Sequence, residues 1–303
     1  MSTDGDTVTG LDPLFADSKG RAVSPPGFGG AMIADTHAHL DMLDDPGLAL
    51  ARAALAGVSF VATVADVTED AGRTYDELPA WLGRTRALLD DAGHPGVAAP
   101  RVRVILGVHP HNARLWDSGT EREFRRLAAD PLTCAVGEMG LDYHYDHSPR
   151  DVQRDTFRAH LSLAREFALP GVVHLREAHD DGAAILAEAG PPPAGFILHC
   201  FNLAPRAMQP FLDLGCHVSF AGPVTFKKAE EVRDSAREVP PGRLLTETDC
   251  PFMAPEPFRG RTCEPAFVAF TAARTAEARG ESLVDFATHT YRAALDLLDR
   301  ERP

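Results

Sequence analysis

Six side chains able to ligate a divalent cation recur along this chain, each at the end of a short apolar run. They are His37 and His39 in IADTHAHLD, Glu138 in CAVGEMGLDY, His174 in GVVHLREAH, His199 in FILHCF and Asp249 in LLTETDCPF. Four imidazoles and two carboxylates are about what two divalent cations need when they share a bridging ligand. His37 and His39 lie two apart, so at an extended strand end both rings point to one side. Glu138 sits between Gly137 and Met139-Gly140, small neighbours that let the backbone turn its carboxylate toward a shared site. Its two oxygens could serve one cation each. His174 and His199 would complete a second position, although either one alone also reads as a hydrogen-bonded core histidine. Asp249 could bind a cation and accept a proton from the attacking water, with a helix-capping aspartate before Cys250-Pro251 as the alternative. Metal-dependent hydrolysis is the chemistry these residues imply, with Glu138 and Asp249 as its catalytic carboxylates.

Ligands so far apart in sequence converge only if successive elements deliver them to one place, as the carboxyl ends of the strands do in a (β/α)8 barrel. Apolar runs predict strands near Met32–Thr36, Val58–Val64, Val102–Val108, Thr133–Gly137, Gly171–His174, Phe196–His199, His217–Phe220 and Leu244–Thr246. The stretches between them read as helices, for example Arg150–Phe167, where Val152, Phe157, Leu161 and Ala164 keep helical spacing. The second crossover, about residues 69–100, is long enough for an extra or extended helix. Ser282–Leu298 predicts a last amphipathic helix closing the bottom or side. The expected fold is therefore an α/β TIM barrel over residues 31–303. Residues 1–30, polar and ending in Ser24-Pro25-Pro26-Gly27, predict an N-terminal extension that is flexible or loosely docked.

Composition narrows the setting. A chain of 303 residues with 44% hydrophobic content suits one large domain. No apolar run reaches the length of a membrane span, and the first residues lack the pattern of a secretory signal. Five cysteines, an odd number without close pairs, argue against a disulfide framework and for the cytoplasm. Cys200 and Cys250 follow two of the ligands directly, and packing behind the site is preferred over a thiolate role. A formal charge of −14 argues against coating of duplex DNA, yet leaves a phosphodiester substrate open, since cations and a few arginines can neutralise phosphate locally.

The segments DTHAHLD, GVHPHNA, GEMGLDY, VVHLREA, LHCF, SFAGPVTFKKA, ETDCPFMAP and RGRTCEP run in order from about residue 33 to 300. Together they resemble the TatD family of metal-dependent hydrolases and deoxyribonucleases, a branch of the amidohydrolase-like barrels. The resemblance implies two divalent cations, magnesium or zinc, with manganese as a further option. One would be held by His37, His39, Glu138 and Asp249, the other by Glu138, His174 and His199. It implies 3′–5′ removal of nucleotides from DNA ends or single strands. The alternative is a deacylase or another small-molecule amide or ester hydrolase.

Matching positions suggest substrate contacts at His111, Arg176 and Arg261. His109 could contact a phosphate, bind a further metal or make a structural hydrogen bond. Arg176 could meet a phosphate or instead pair with Glu177 or Asp180. Asp142 and Tyr143 are expected to position Glu138 or its strand. Lys227 and Lys228, near the start of the seventh helix, could attract an anion or stay solvated. The chain departs from the family pattern at Asn202-Leu203, where a small hydroxyl residue and glycine are usual, and at Cys263, which replaces an asparagine of RGxRNEP. These changes leave the metal ligands intact and alter the expected pocket wall.

Overall fold

A computed structural model describes Leu11 and residues 13–300. The strands are β1 (Ile33–Ala38), β2 (Val58–Asp66), β3 (Arg101–Gly107), β4 (Thr133–Asp142), β5 (Gly171–Arg176), β6 (Phe196–Leu198), β7 (His217–Phe220) and β8 (Leu244–Thr246). They pair in parallel, in chain order. Parallel neighbours need a crossover on the outside, and the chain supplies helices there. These are α1 (Pro46–Leu55), α2 (Ala71–Asp91), α3 (Ser118–Ala128), α4 (Arg150–Glu166), α5 (His179–Ala189), α6 (Pro205–Asp213), α7 (Glu230–Glu238) and α8 (Val268–Arg279), followed by α9 (Leu283–Leu298). The barrel is drawn shut between β8 and β1. Asp249 N–H donates to the His37 carbonyl at 2.9 Å, His39 N–H donates to the Cys250 carbonyl at 2.8 Å, and Thr36 Oγ1 donates to the Thr246 carbonyl at 3.2 Å.

The barrel is filled rather than hollow. Ala34, Phe60, Ala62, Ile105, Val172, Ile197 and Leu245 form one buried cluster inside it, joined by Ala293, Ala294, Leu297 and Leu298 of α9. Helix α9 therefore plugs the end where the strands begin, and Asp299, just beyond it, pairs with Arg101 and Arg103 of β3 at 2.9 Å each. With that end closed, the opposite rim is left for a site. Local signals set the helix starts: Asp45 accepts from Leu48 N–H before α1, and Asp117 and Thr120 form a capping box at α3. The long second crossover is one extended helix, α2, of 21 residues.

Two elements differ from the sequence reading. β4 does not stop at Gly137 but runs through Asp142, with a register shift against β5 between Val136 and Met139. Such a bulge re-aims side chains without ending the strand. Part of the extension is also firmly seated. Phe15 is buried (1% exposed) among Phe258, Phe267 and Phe270, with ring centroids 4.9–6.1 Å away. Burying one phenylalanine contributes about 1.5–3 kcal/mol, enough to dock a short arm. The expectation of a flexible extension over residues 1–10 lies outside the described residues.

Candidate metal centre

The strands bring all six predicted ligands to the rim where they end. His37 lies in β1 and His39 just beyond it; Glu138 lies in the bulged part of β4, His174 in β5, His199 one residue after β6 and Asp249 three residues after β8. Close approach of β4 and β5 depends on Gly140. Its φ of +145° suits glycine, and an added Cβ would lie 2.0 Å from the His174 carbonyl oxygen.

Two ligand sets meet at Glu138. Its Oε2 lies 3.5 Å from His37 Nε2 and 3.4 Å from His39 Nε2, and Asp249 Oδ1 lies 3.8 and 3.6 Å from the same nitrogens. Its Oε1 lies 2.9 Å from His199 Nε2 and 3.2 Å from His174 Nδ1, which are 3.1 Å from each other. Ligand atoms about 2.1 Å from a tetrahedral cation stand about 3.4 Å apart, so the first set is spaced for coordination rather than for hydrogen bonding. His37 makes the same point. It is fully buried, yet neither ring nitrogen has a hydrogen-bond partner among the described residues. A buried unpaired nitrogen costs about 1–3 kcal/mol, and a bound cation would remove that cost at Nε2. The donor set of imidazoles and carboxylates suits divalent cations, which would act there as Lewis acids and lower the pKa of water.

The protonation pattern agrees. Burial pushes the Glu138 carboxyl up, but the imidazoles of His37, His199 and His109 outweigh it and hold Glu138 well below the usual carboxylate range. Burial opposes charge on His199 as well, yet Glu138 and Glu247 raise it well above an ordinary histidine. Asp249 also titrates low: burial acts against this, and His39, His37 and His199 prevail. Against burial, the carboxylates beside them raise His39, His174 and His199, so without cations these three rings favour their protonated forms.

Behind the ligands stands a ring of carboxylates. Glu247, fully buried, accepts from Cys200 N–H at 2.7 Å and faces His199 Nδ1 at 3.3 Å. Asp142 lies 2.8 Å from His111 Nε2 and 3.5 Å from His174 Nε2. It thus serves the histidines rather than Glu138, while Tyr143 donates to Asp181. Asp35 accepts from Thr248 N–H and Thr248 Oγ1 at 2.9 and 2.6 Å, and burial pushes its carboxyl up to about 8 against those bonds. Such partners fix ring orientation in metal sites. Glu247 and Asp35 are absent from the sequence-derived site; their signal is an acidic residue beside an apolar strand that leaves it no solvent.

The site opens into a cavity of about 830 Å³. His111 and Arg176 line it, as do Asn202 and Leu203. Arg176 pairs with neither Glu177 nor Asp180 among the described residues; its guanidinium lies over the Tyr145 ring, 4.6 Å from the centroid. His109 stands at the edge of the second ligand set, 3.9 Å from Glu138 Oε1, and its Nδ1 accepts from His111 N–H. Arg261 lies apart from the lining and donates to the carbonyls of Ala16 and Asp17, so it holds the extension. Cys263 is fully buried and also outside the lining. Lys227 and Lys228 are exposed and away from it. Cys200 borders the cavity, and burial pushes its thiol up, as it does that of buried Cys250.

A family model described as TatD related DNase matches residues 34–299. The chain belongs to the TatD family. It is 38% identical over 264 residues to YcfH of Escherichia coli K12, named an uncharacterized metal-dependent hydrolase, covering 85% of this chain and 92% of that protein. It is 35% identical over 189 residues to the protein of Erwinia amylovora named 3′-5′ ssDNA/RNA exonuclease TatD, covering 61% of this chain and 73% of that one. The crystal structure of YjjV, a TatD homologue from Escherichia coli K12, matches with a TM-score of 0.75 at 25% identity, over 90% of this chain and 100% of that one. The protein is thus a TatD-type metal-dependent hydrolase with a TIM barrel fold. Among the described residues no helix is long and apolar enough to cross a membrane.

Proposed function

We propose that this TatD-type hydrolase is a two-cation phosphodiesterase that removes nucleotides from the 3′ ends of single-stranded DNA. The observation that carries the reading is the division of labour at Glu138, whose Oε2 faces His37 and His39 and whose Oε1 faces His174 and His199, in a cluster where His37, His199 and Asp249 also lie within reach of one another. Two adjacent cations suit in-line displacement at phosphorus, where they would neutralise charge on the attacking and leaving oxygens. His37, His39, Glu138 and Asp249 would hold one, and Glu138, His174 and His199 the other. Magnesium, zinc or manganese are the candidates. Asp249, kept ionised by its histidines, would accept the proton of the attacking water. Arg176 and His111 both line the cavity, and in this reading they would meet the phosphate. The exonuclease name carried by the Erwinia amylovora relative supports the bond type. Five free cysteines fit a reducing compartment, the cytoplasm.

The altered wall at Asn202-Leu203, which does line the cavity, supports a second reading, hydrolysis of a small amide or ester. The test is an assay of metal-reconstituted protein on single-stranded DNA beside a panel of acyl and amide substrates, with Asp249→Ala as control. The phosphodiesterase reading expects DNA cleavage that Asp249→Ala abolishes. Intact DNA with every divalent metal, together with turnover of an acyl substrate, would establish the second reading instead.

A further inference from the structure

Eight large apolar side chains are exposed among the described residues, and five of them stand on the cavity wall: Met42, Tyr145, Leu203, Phe252 and Met253. They come from the loops after β1, β4, β6 and β8. Scattered exposed apolar groups need no explanation, but a ring of them around a catalytic mouth does. The two aromatic members flank the ligands on different sides. Phe252 lies edge-on to His39, 6.1 Å between centroids, beside the first ligand set. Tyr145 lies edge-on to His111 at 5.3 Å and stacks on His147 at 5.4 Å with 3° between planes, beside the second.

Charge at the same mouth runs against a long polyanion. Seven carboxylate residues line the cavity, and the only lysine or arginine side chains among its lining residues are Arg114 and Arg176. Asp41, Glu69 and Glu177 are exposed on the lip, where further phosphates of a strand would have to pass. Arg176 is different. It lies two residues past His174 in β5, on the same face of the strand, and has no carboxylate partner among the described residues. Its volume of about 830 Å³ places the cavity among pockets that enclose one small ligand, about 300–1,000 Å³.

We infer that this cavity takes a single phosphodiester flanked by two unpaired bases, one on Phe252 and one on the Tyr145–His147 stack, whose exposed His147 also lines the cavity. Dinucleotides and the last two residues of short single strands are then its preferred substrates, rather than polymers. This rests on the phosphodiesterase reading. The phosphate would lie between the ligand sets and Arg176, and the bases would stack on rings that read no sequence. The reaction supplying such a substrate is one that cuts single strands into short oligonucleotides, and this protein would take the products to mononucleotides.

The test compares kcat/KM for a thymidine dinucleotide and for a single strand of about twenty nucleotides, with its salt dependence. The expected result is a dinucleotide value at least equal to that of the long strand. The logarithmic salt slope should be no steeper than about −0.7 for either substrate, as for one contacted phosphate. Tyr145→Ala and Phe252→Ala should each raise KM for the dinucleotide about tenfold, more than they lower kcat, with metal content kept and Tyr145→Phe restoring KM. Cleavage of the long strand with the dinucleotide refused, a steep salt slope, or unmoved KM in both alanine variants overturns the inference and leaves the nuclease reading standing. Cleavage of neither substrate removes both.

Discussion

Replacing Glu247 by glutamine isolates the buried carboxylate behind His199. The substitution keeps the shape and one acceptor for Cys200 N–H, now 2.7 Å from Oε1, and removes the charge 3.3 Å from His199 Nδ1. A hydrogen bond to a charged group contributes about 1.5–3 kcal/mol and a neutral one about 0.5–1.5. The loss is therefore about 1–2 kcal/mol, or roughly five- to thirtyfold in affinity for the cation that His199 holds. The first ligand set, built on His37, His39 and Asp249, should change by no more than about threefold, since it makes no bond to Glu247. Proton competition must be separated out. Glu247 helps to raise the pKa of His199, so it strengthens the hold on a proton as well as on a cation. At pH below that raised value the cation must displace the proton, the two effects offset, and the deficit of the variant shrinks. At alkaline pH, with His199 neutral, the full deficit appears. Calorimetric titration of metal-free protein with zinc or manganese at several pH values reads both affinities. Equal weakening of both sites, or an unchanged second site at alkaline pH, would refute the orienting role of Glu247.

Two further outcomes follow from packing and burial. Phe15→Ala should loosen the arm around residues 14–23, because a lost phenylalanine costs about 3–5 kcal/mol in a closed core, more than the bonds from Arg52 and Arg261 to the Leu14, Ala16 and Asp17 carbonyls offset. Trypsin should then cut faster at Lys19 or Arg21, while the barrel keeps its melting temperature; unchanged cleavage would mean that the aromatic cluster does not hold the arm. His160, buried beside Trp116 and Phe124, is pushed down to about 4 by burial. The unfolded chain takes up this proton near pH 6.5 and the folded one does not, so its contribution is full above 6.5 and is lost as pH falls toward 4. The shift amounts to about 3 kcal/mol at 1.36 kcal/mol per unit. Denaturant titrations across that window should show the loss in wild type but not in His160→Phe, and parallel curves would exclude it.

Much of the fold was readable because parallel barrel strands are short apolar runs and each ligand is a polar residue at the end of one. The strands β7 and β8 match their predicted bounds for that reason. The ligands come together because every strand opens to the same rim, which is a property of the topology and not of any single spacing. Glu138 was expected among the ligands, yet its place inside β4 was not foreseen, because the bulge there is set by pairing with β5. Phe15 reads as one apolar residue in a polar segment; its partners Phe258, Phe267 and Phe270 lie at the other end of the chain. Arg261 sits in a family-like motif, but its guanidinium is taken by the Ala16 and Asp17 carbonyls of an extension that lies outside the family match. Tyr145 lies two residues past GEMGLDY and Phe252 lies within ETDCPFMAP, but neither segment tells that its ring stands at the mouth, which loop geometry sets.

The metal content of wild type and three variants tests the shared centre most directly. Anomalous diffraction from zinc- or manganese-loaded crystals, with elemental analysis of the same protein, should find two cations per chain on either side of Glu138. Glu138→Ala should lose both, while His37→Ala and His199→Ala should each lose only the cation on its own side. Saturation of wild type at one cation, or two cations retained without Glu138, would contradict it.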